Sequence, residues 1–176
     1  LARMIESNDY KVGLYTSPHV TSLHERIVVN SEQITKKHML GLINRIHGTV
    51  EKMSKKTDDS LTFFEIMTAL AFLHFADSEV DVAIIETGLG GRLDSTNVIS
   101  PKLVGITNIS IDHQNLLGKT IDSIAAEKAG VIKKGIPVIT VPQEPGAMRA
   151  LKKQARSVNA QFSVTGRDIE FSSMCE

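Results

Sequence analysis

Apolar and polar residues along the chain follow two alternating patterns, one typical of buried strands and one typical of helices. The run Val82–Ile85 is apolar throughout, as expected for a strand buried on both faces of a parallel sheet. Strands are predicted at 11–16, 25–30, 82–85, 103–107, 136–141 and 161–165, and helices at about 35–55, 63–76, 121–129 and 145–158. This alternation predicts an α/β fold, a mostly parallel sheet with right-handed crossovers and helices on both faces.

Local signals predict where several of these elements end. Thr62 and Glu65 form a T-x-x-E capping box before the strongly apolar helix at 63–76, with Phe63 and Phe64 as core anchors. Gly130 follows the helix at 121–129 and is predicted to end it in the left-handed conformation. The polar tract 54–60 is predicted to be an exposed loop.

A glycine-rich loop with polar side chains follows the strand Val82–Ile85. It contains Glu86, Gly88, Gly90, Gly91, Arg92, Asp94 and Asn97. A dinucleotide-binding fingerprint is disfavoured, because Leu93 occupies the third glycine position and the following residues lead to another strand, not a helix. A tight connection that happens to be rich in glycine is the alternative. The polar side chains favour a functional loop, since α/β sheets bind ligands beyond the carboxyl ends of their strands.

Three further observations concern metal and phosphate chemistry. Ser17, Glu86 and His113 each follow a predicted parallel strand, so they would gather at one sheet edge, where they could bind Mg²⁺ or Mn²⁺ beside a phosphate. Taken singly, a turn serine and a histidine next to a helix cap have structural explanations. Lys128 near a helix end is either an exposed cation opposing the helix dipole or a phosphate contact or modified lysine. The side chains of Lys133 and Lys134 are interpreted as part of a solvent-exposed face.

Composition narrows the class of protein. The 176 residues are enough for one domain, and Lys+Arg and Asp+Glu balance at 20 each, so no overall basic field exists to hold nucleic acid or an anionic membrane. No apolar run approaches the roughly 20 residues that span a bilayer. The single cysteine, Cys175, rules out an internal disulfide and fits a reducing, cytoplasmic location. Without an initiator Met, and with a first segment resembling the end of a helix, the native start is expected upstream.

Several motifs together resemble the folylpolyglutamate synthase/dihydrofolate synthase family of the Mur ligase superfamily. They are T-S-P-H at 16–19, L-T-F-F-E at 61–65, E-x-G-x-G-G-R-x-D-x-T-N at 86–97, D-H-x-x-x-L-G at 112–118 and E-K-A-G at 127–130. They occur in the family's order and cover roughly residues 11–141. The combination is far more specific than any single motif.

The resemblance implies an ATP-dependent ligase that adds L-glutamate to dihydropteroate or folate through an acyl phosphate, with ATP and Mg²⁺ as cofactors. It implies Ser17, Glu86, His113 and a carbamylated Lys128 as metal ligands, the last three also as catalytic residues. It further implies Thr62, Phe64, Arg92 and Asp94 as substrate-binding residues and Asn97 as a cofactor-binding residue.

One departure from the family pattern is important. The chain has no phosphate loop of the form G-T-N-G-K-G-[ST]. The resemblance therefore implies a central, P-loop NTPase-like ATP-binding domain at 1–165 that lacks its first strand and phosphate loop, with 166–176 as a tail or linker. Such a piece is expected to be inactive alone, and the intact parent to be a monomer. Two alternatives stay open: another Mur-type amino-acid ligase, and a non-catalytic binding domain that lost its phosphate loop.

Overall fold

A computed structural model describes residues 1–57, 60–112 and 117–170, and for Thr57 only the backbone. It divides into two compact units, Leu1–Gly88 and Leu89–Glu176. None of the helices in the described ranges is long and apolar enough to cross a membrane.

In its described residues, the first unit contains a four-stranded sheet and three α-helices. Its elements are α1 (Ala2–Glu6), β1 (Val12–Tyr15), a 3₁₀ turn (Leu23–Arg26), β2 (Ile27–Val29), β3 (Glu32–Gln33), α2 (Lys36–Thr57), α3 (Phe63–Asp77) and β4 (Val82–Ile85). The strand order is β3-β2-β1-β4. β1 and β4 pair in parallel, whereas β1–β2 and β2–β3 are antiparallel. Asn30 and Ser31 make the two-residue β2–β3 hairpin with φ of 45° and 69°, the combination of a type I′ turn.

Helix α3 supplies much of the core of the first unit. Its capping box is present as predicted, because the Glu65 amide donates to Thr62 Oγ1 (3.2 Å) and the Thr62 amide donates to Glu65 Oε2 (2.7 Å). The core cluster consists of Tyr15, Ile27, Ile34, Met39, Leu42, Met67, Leu70, Ala71 and Phe75. The sheet lies close to this helix, since a Cβ on Gly13 would be 2.7 Å from the Phe75 ring.

Two sequence predictions for this unit are wrong. Helix α2 continues to Thr57, where an exposed loop was predicted from residue 54 onward. Lys55 and Lys56 lie in its last turn, where cations favour the helix end electrostatically. Phe63 is not a core anchor, because 54% of it is exposed. Phe64 is half-buried and stacks on Tyr15, with 5.8 Å between ring centroids.

The second unit is built on a fully parallel sheet. Its elements are a 3₁₀ turn (Ser95–Val98), β5 (Val104–Ile106), α4 (Ile121–Ala129), β6 (Val138–Thr140), α5 (Pro145–Ser157) and β7 (Phe162–Val164), with strand order β5-β6-β7. Its core includes Val104, Ile109, Ile124, Ala125, Ile132, Val138 and Leu151. The two helices approach closely, since a Cβ on Gly146 would lie 2.7 Å from Ile121 Cγ2. The α/β prediction is therefore confirmed, with antiparallel pairing confined to the β1–β2 and β2–β3 pairs among the described strands.

Candidate functional site

The carboxyl ends of β1 and β4 bring Ser17 and Glu86 together in the first unit. Tyr15 pairs with Ile85 across the parallel ladder, and the Glu86 amide then donates to Tyr15 O at 2.9 Å. The Ser17 amide donates to Glu86 Oε2 at 2.7 Å. In the described part of the chain, Glu86 Oε1 and the Ser17 hydroxyl have no hydrogen-bond partner. These oxygen donors are of the kind that Mg²⁺ prefers, so the pair fits the predicted cation.

The other predicted metal ligands are not in this pair. His113 lies outside the described residues. Lys128 belongs to the second unit. Within residues 1–57, 60–112 and 117–170, no group of three or more His, Cys, Asp or Glu side chains is arranged to hold a metal ion.

A network of amide donors around Glu25, which sequence reasoning missed, shapes the loop that follows Ser17. The Glu25 carboxylate accepts from the Val20 amide (2.8 Å), the Thr21 amide (3.1 Å) and hydroxyl (2.6 Å), and the Ser22 amide (2.7 Å). These hydrogen bonds, the Thr21 hydroxyl first, lower the pKa of Glu25 from 4.5 to about 2. The spacing S-x-x-E at 22–25 is a capping box that could have revealed this arrangement from sequence.

Replacing Glu25 by glutamine is expected to remove a pH-dependent part of the stability. The folded-state pKa lies below the ordinary one, so ionised Glu25 stabilises the fold fully above pH 4.5 and loses this effect as the pH falls towards 2. The Tm of E25Q should therefore lie below that of the wild type at pH 6 and converge with it near pH 2. Glu51→Gln, an exposed helix residue, is the control. A constant difference between E25Q and wild type from pH 6 to 2 would contradict this account.

The predicted substrate residues of the first unit lie at the start of α3. The Thr62 hydroxyl caps the helix through the Glu65 amide. Phe64 packs against Gly88, the first glycine of the glycine-rich loop, since a Cβ on Gly88 would be 2.7 Å from Phe64 Cε1. Thr62 and Phe64 thus belong to the same unit as Ser17 and Glu86.

In the second unit, Asp94 organises the loop that contains it. Its Oδ2 accepts from the Leu89 amide at 2.9 Å, and its Oδ1 accepts from the Thr96 amide at 2.9 Å and the Thr96 hydroxyl at 2.5 Å. Asp94 is the N-cap of the 3₁₀ turn Ser95–Val98. The side chain predicted to bind substrate therefore also has a structural task within its own loop.

Arg92 and Asn97 attach this loop to the end of α4. The Arg92 guanidinium pairs with the Glu127 carboxylate (Nη2 to Oε1, 3.1 Å), and the Arg92 amide donates to Glu127 O at 2.9 Å. Asn97 Nδ2 donates to Arg92 O (3.1 Å) and to Gly130 O (3.2 Å). Lys133 Nζ donates to Asn97 O at 2.9 Å, so the predicted solvated position of Lys133 is wrong: it is half-buried and hydrogen-bonded.

The glycine-rich loop and the C-terminal end of α4 contact each other at Gly91 and Gly130. Gly130 has φ of −61°, so the predicted left-handed conformation is wrong. The reason for glycine is proximity, because a Cβ at Gly130 would lie 2.5 Å from Arg92 Cα, and one at Gly91 would lie 2.8 Å from Lys128 O. Lys128 itself is half-buried instead of exposed. Its ammonium has no hydrogen-bond or ion-pair partner in the ranges that the structure describes.

The predicted residues thus fall into two groups. Ser17, Glu86, Thr62 and Phe64 belong to the first unit, and Arg92, Asp94, Asn97 and Lys128 surround the end of α4 in the second.

Comparison with known proteins identifies the class. The sequence profile of the Mur ligase middle domain matches residues 32–171. The chain therefore belongs to the Mur ligase middle domain family.

Its relatives are folate enzymes. The dihydrofolate synthase/folylpolyglutamate synthase of Bacillus subtilis (strain 168) is 46% identical over 160 residues, which cover 90% of this chain and 37% of that protein. The folylpolyglutamate synthase of Lacticaseibacillus casei is 38% identical over 170 residues, covering 96% and 40%. A solved folylpolyglutamate synthase in complex with AMPPCP and folate superimposes with a TM-score of 0.89 at 39% identity, covering 94% and 41%. The chain thus spans about two fifths of these proteins, and the family resemblance is confirmed.

Proposed function

We propose that this chain is the ATP-binding middle part of a ligase that adds L-glutamate to dihydropteroate or folate and is inactive by itself. The supporting observation is its likeness, in fold and at 39% identity, to a folylpolyglutamate synthase whose complex holds AMPPCP and folate. In this reaction the γ-phosphoryl group of ATP moves to a substrate carboxylate. The amine of glutamate then attacks the acyl phosphate and displaces phosphate.

Glu86 and Ser17 would hold Mg²⁺, together with His113 and a carbamylated Lys128. The bound Mg²⁺ would neutralise charge on the phosphates during transfer. The Ser17 amide fixes one Glu86 oxygen at 2.7 Å and leaves the other for the cation. Carbamylation would turn the Lys128 ammonium, which lacks a carboxylate partner in the described ranges, into an oxygen ligand.

The remaining residues would divide between the two substrates. Thr62 and Phe64, with Arg92 and Asp94, would bind the pterin or folate, the Phe64 ring offering a flat apolar face. Asn97 would lie on the nucleotide side. In this proposal the hydrogen bonds that Asp94 accepts from the amides of its own loop hold the backbone in the shape that binds substrate.

A thermal-shift experiment tests the proposal. Dihydropteroate at a hundred times its Kd is expected to stabilise the 176-residue chain by about 2.7 kcal/mol, whereas a UDP-muramoyl ligand should have no effect. The stabilisation by Mg²⁺ with AMPPCP should disappear in Glu86→Gln and persist in Glu51→Gln. The chain alone should release no ADP from ATP, glutamate and pteroate.

The other outcomes are equally informative. Stabilisation by the muramoyl ligand instead would identify a cell-wall ligase. A lack of response to dihydropteroate and folate would contradict the folate assignment, and ADP release would contradict the predicted inactivity of the isolated chain.

A further inference from the structure

Arg26 is a buried cation of the first unit. It ends the 3₁₀ turn Leu23–Arg26 and is only 8% exposed. Among the described residues it is the one buried Arg, Lys, Asp or Glu. Its carbonyl accepts from the Thr16 amide at 3.1 Å, which ties it to the residue before Ser17.

The contacts of the Arg26 guanidinium are uncharged. Nε donates to His19 Nδ1 at 2.9 Å, so this imidazole acts as an acceptor and carries its proton on Nε2. The Cζ atom lies 5.3 Å from the centroid of the Phe63 ring, a cation–π contact. Neither neighbour supplies the negative charge that a guanidinium removed from water requires.

Other arginines of the chain differ from Arg26 in this respect. Arg45, Arg92 and Arg149 are more exposed, and each pairs with a carboxylate at 2.9, 3.1 and 3.2 Å, respectively. Arg26 has no such carboxylate in residues 1–57, 60–112 and 117–170. The most buried of these cations is therefore the one without a counter-charge.

The terminal nitrogens of Arg26 are not completely buried. In the described part of the chain, the only buried side-chain nitrogen or oxygen without a hydrogen-bond partner is His74 Nδ1. Nη1 and Nη2 of Arg26 form no hydrogen bond there, so both retain accessible surface. A planar fork of this kind matches the two oxygens of a carboxylate.

We propose that Arg26 binds a carboxylate of the substrate, an inference that rests on the proposed folate-ligase function. The fork fits a carboxylate or a phosphate equally, and the half-exposed Phe63 ring that covers one face of it favours an anion carried on an aromatic ring. Dihydropteroate carries such a carboxylate on a benzene ring. Arg26 thus holds the substrate carboxylate in the unit that also contains Ser17 and Glu86, and its charge offsets the burial of the anion.

The first test needs no variant. The side-chain ¹⁵N–Hε resonances of the wild-type 176-residue chain are followed by NMR during titration with benzoate and, separately, with inorganic phosphate. The Arg26 resonance should shift in a saturable way with benzoate, while those of Arg45 and Arg149 should not. A saturable shift with phosphate but not with benzoate would assign the site to the nucleotide, and an unchanged Arg26 resonance would overturn the proposal.

The second test compares dihydropteroate with its uncharged carboxamide in calorimetry. Arg26→Gln should weaken the binding of dihydropteroate at least tenfold and leave that of the carboxamide unchanged, and Arg26→Lys should be intermediate. Arg45→Gln, which removes a paired arginine of the same unit, should leave both affinities unchanged. Equal losses for both ligands in R26Q would indicate a merely structural arginine and overturn the proposal.

The two proposals fail separately. Should the wild-type chain bind neither dihydropteroate nor the carboxamide, the folate assignment would be wrong. The benzoate titration would then still decide whether Arg26 binds carboxylates.

Discussion

Replacing Gly130 by alanine is expected to destabilise the second unit by about 3 kcal/mol, at the upper end of the usual range for overpacking. The new Cβ would lie 2.5 Å from Arg92 Cα and 2.9 Å from Arg92 N. Both are backbone atoms, so no side-chain rotation relieves the contact. The backbone would have to separate and would weaken the hydrogen bonds from the Arg92 amide to Glu127 O and from Asn97 Nδ2 to Gly130 O.

Urea unfolding followed by circular dichroism measures this loss of stability. Gly105→Ala is the matched control, because a Cβ at this position in β5 meets no atom within 4 Å. Alanine should be neutral or stabilising there by up to about 1 kcal/mol, since glycine is unfavourable in strands. If G130A and G105A were equally stable, the backbone of Arg92 would not lie as close to Gly130 at the end of α4 as the structure shows.

Replacing Asp94 by alanine is expected to reduce the free energy of unfolding by about 2.5 kcal/mol. Removal of the N-cap costs about 1 kcal/mol. The Thr96 hydroxyl and amide also lose their hydrogen-bond acceptor, which costs about 1–3 kcal/mol for a buried group. Thr96 is only 3% exposed, so water does not readily replace the lost acceptor. The Leu89 amide loses its acceptor as well.

Two further variants separate this effect from loss of charge. Asp94→Asn keeps one acceptor oxygen and should lose about half as much stability. Asp122→Ala removes an exposed carboxylate that pairs with Arg149 at 3.2 Å, and it should lose less than about 1 kcal/mol. A loss in D94A no larger than that in D122A would contradict the structural task assigned to Asp94.

The elements predicted correctly are those whose signals are local. The capping box of Thr62 and Glu65 and the strand Val82–Ile85 can be read within a few residues, and both are confirmed. The predicted burial of that strand on both faces is wrong, because Ala83 is exposed and Val82, Ile84 and Ile85 are only half-buried. The parallel neighbours β1 and β4 then place Glu86 beside Ser17, as the carboxyl-end argument expects.

The failures concern contacts between residues that are distant in sequence. Glycine is needed at Gly130 because the backbone of Arg92, far earlier in the chain, lies so close to it. No local sequence pattern distinguishes a glycine required by such a contact from one required by a left-handed helix end. The hydrogen bond from Lys133 Nζ to Asn97 O also joins residues that are distant in sequence, so the local pattern wrongly predicts an exposed lysine. The contact between Arg26 and Phe63, which was predicted to be a core anchor, also joins residues that are distant in sequence.

The glycine contacts at the end of α4 also limit how this protein can be redesigned. Residues 91–97 and 127–133 are joined by backbone proximity, by the Arg92–Glu127 pair and by the two hydrogen bonds of Asn97. Grafting the loop of a relative would therefore require residues 127–133 of the same donor. A loop exchanged alone would displace the backbone at Lys128, so the two segments form one transferable module.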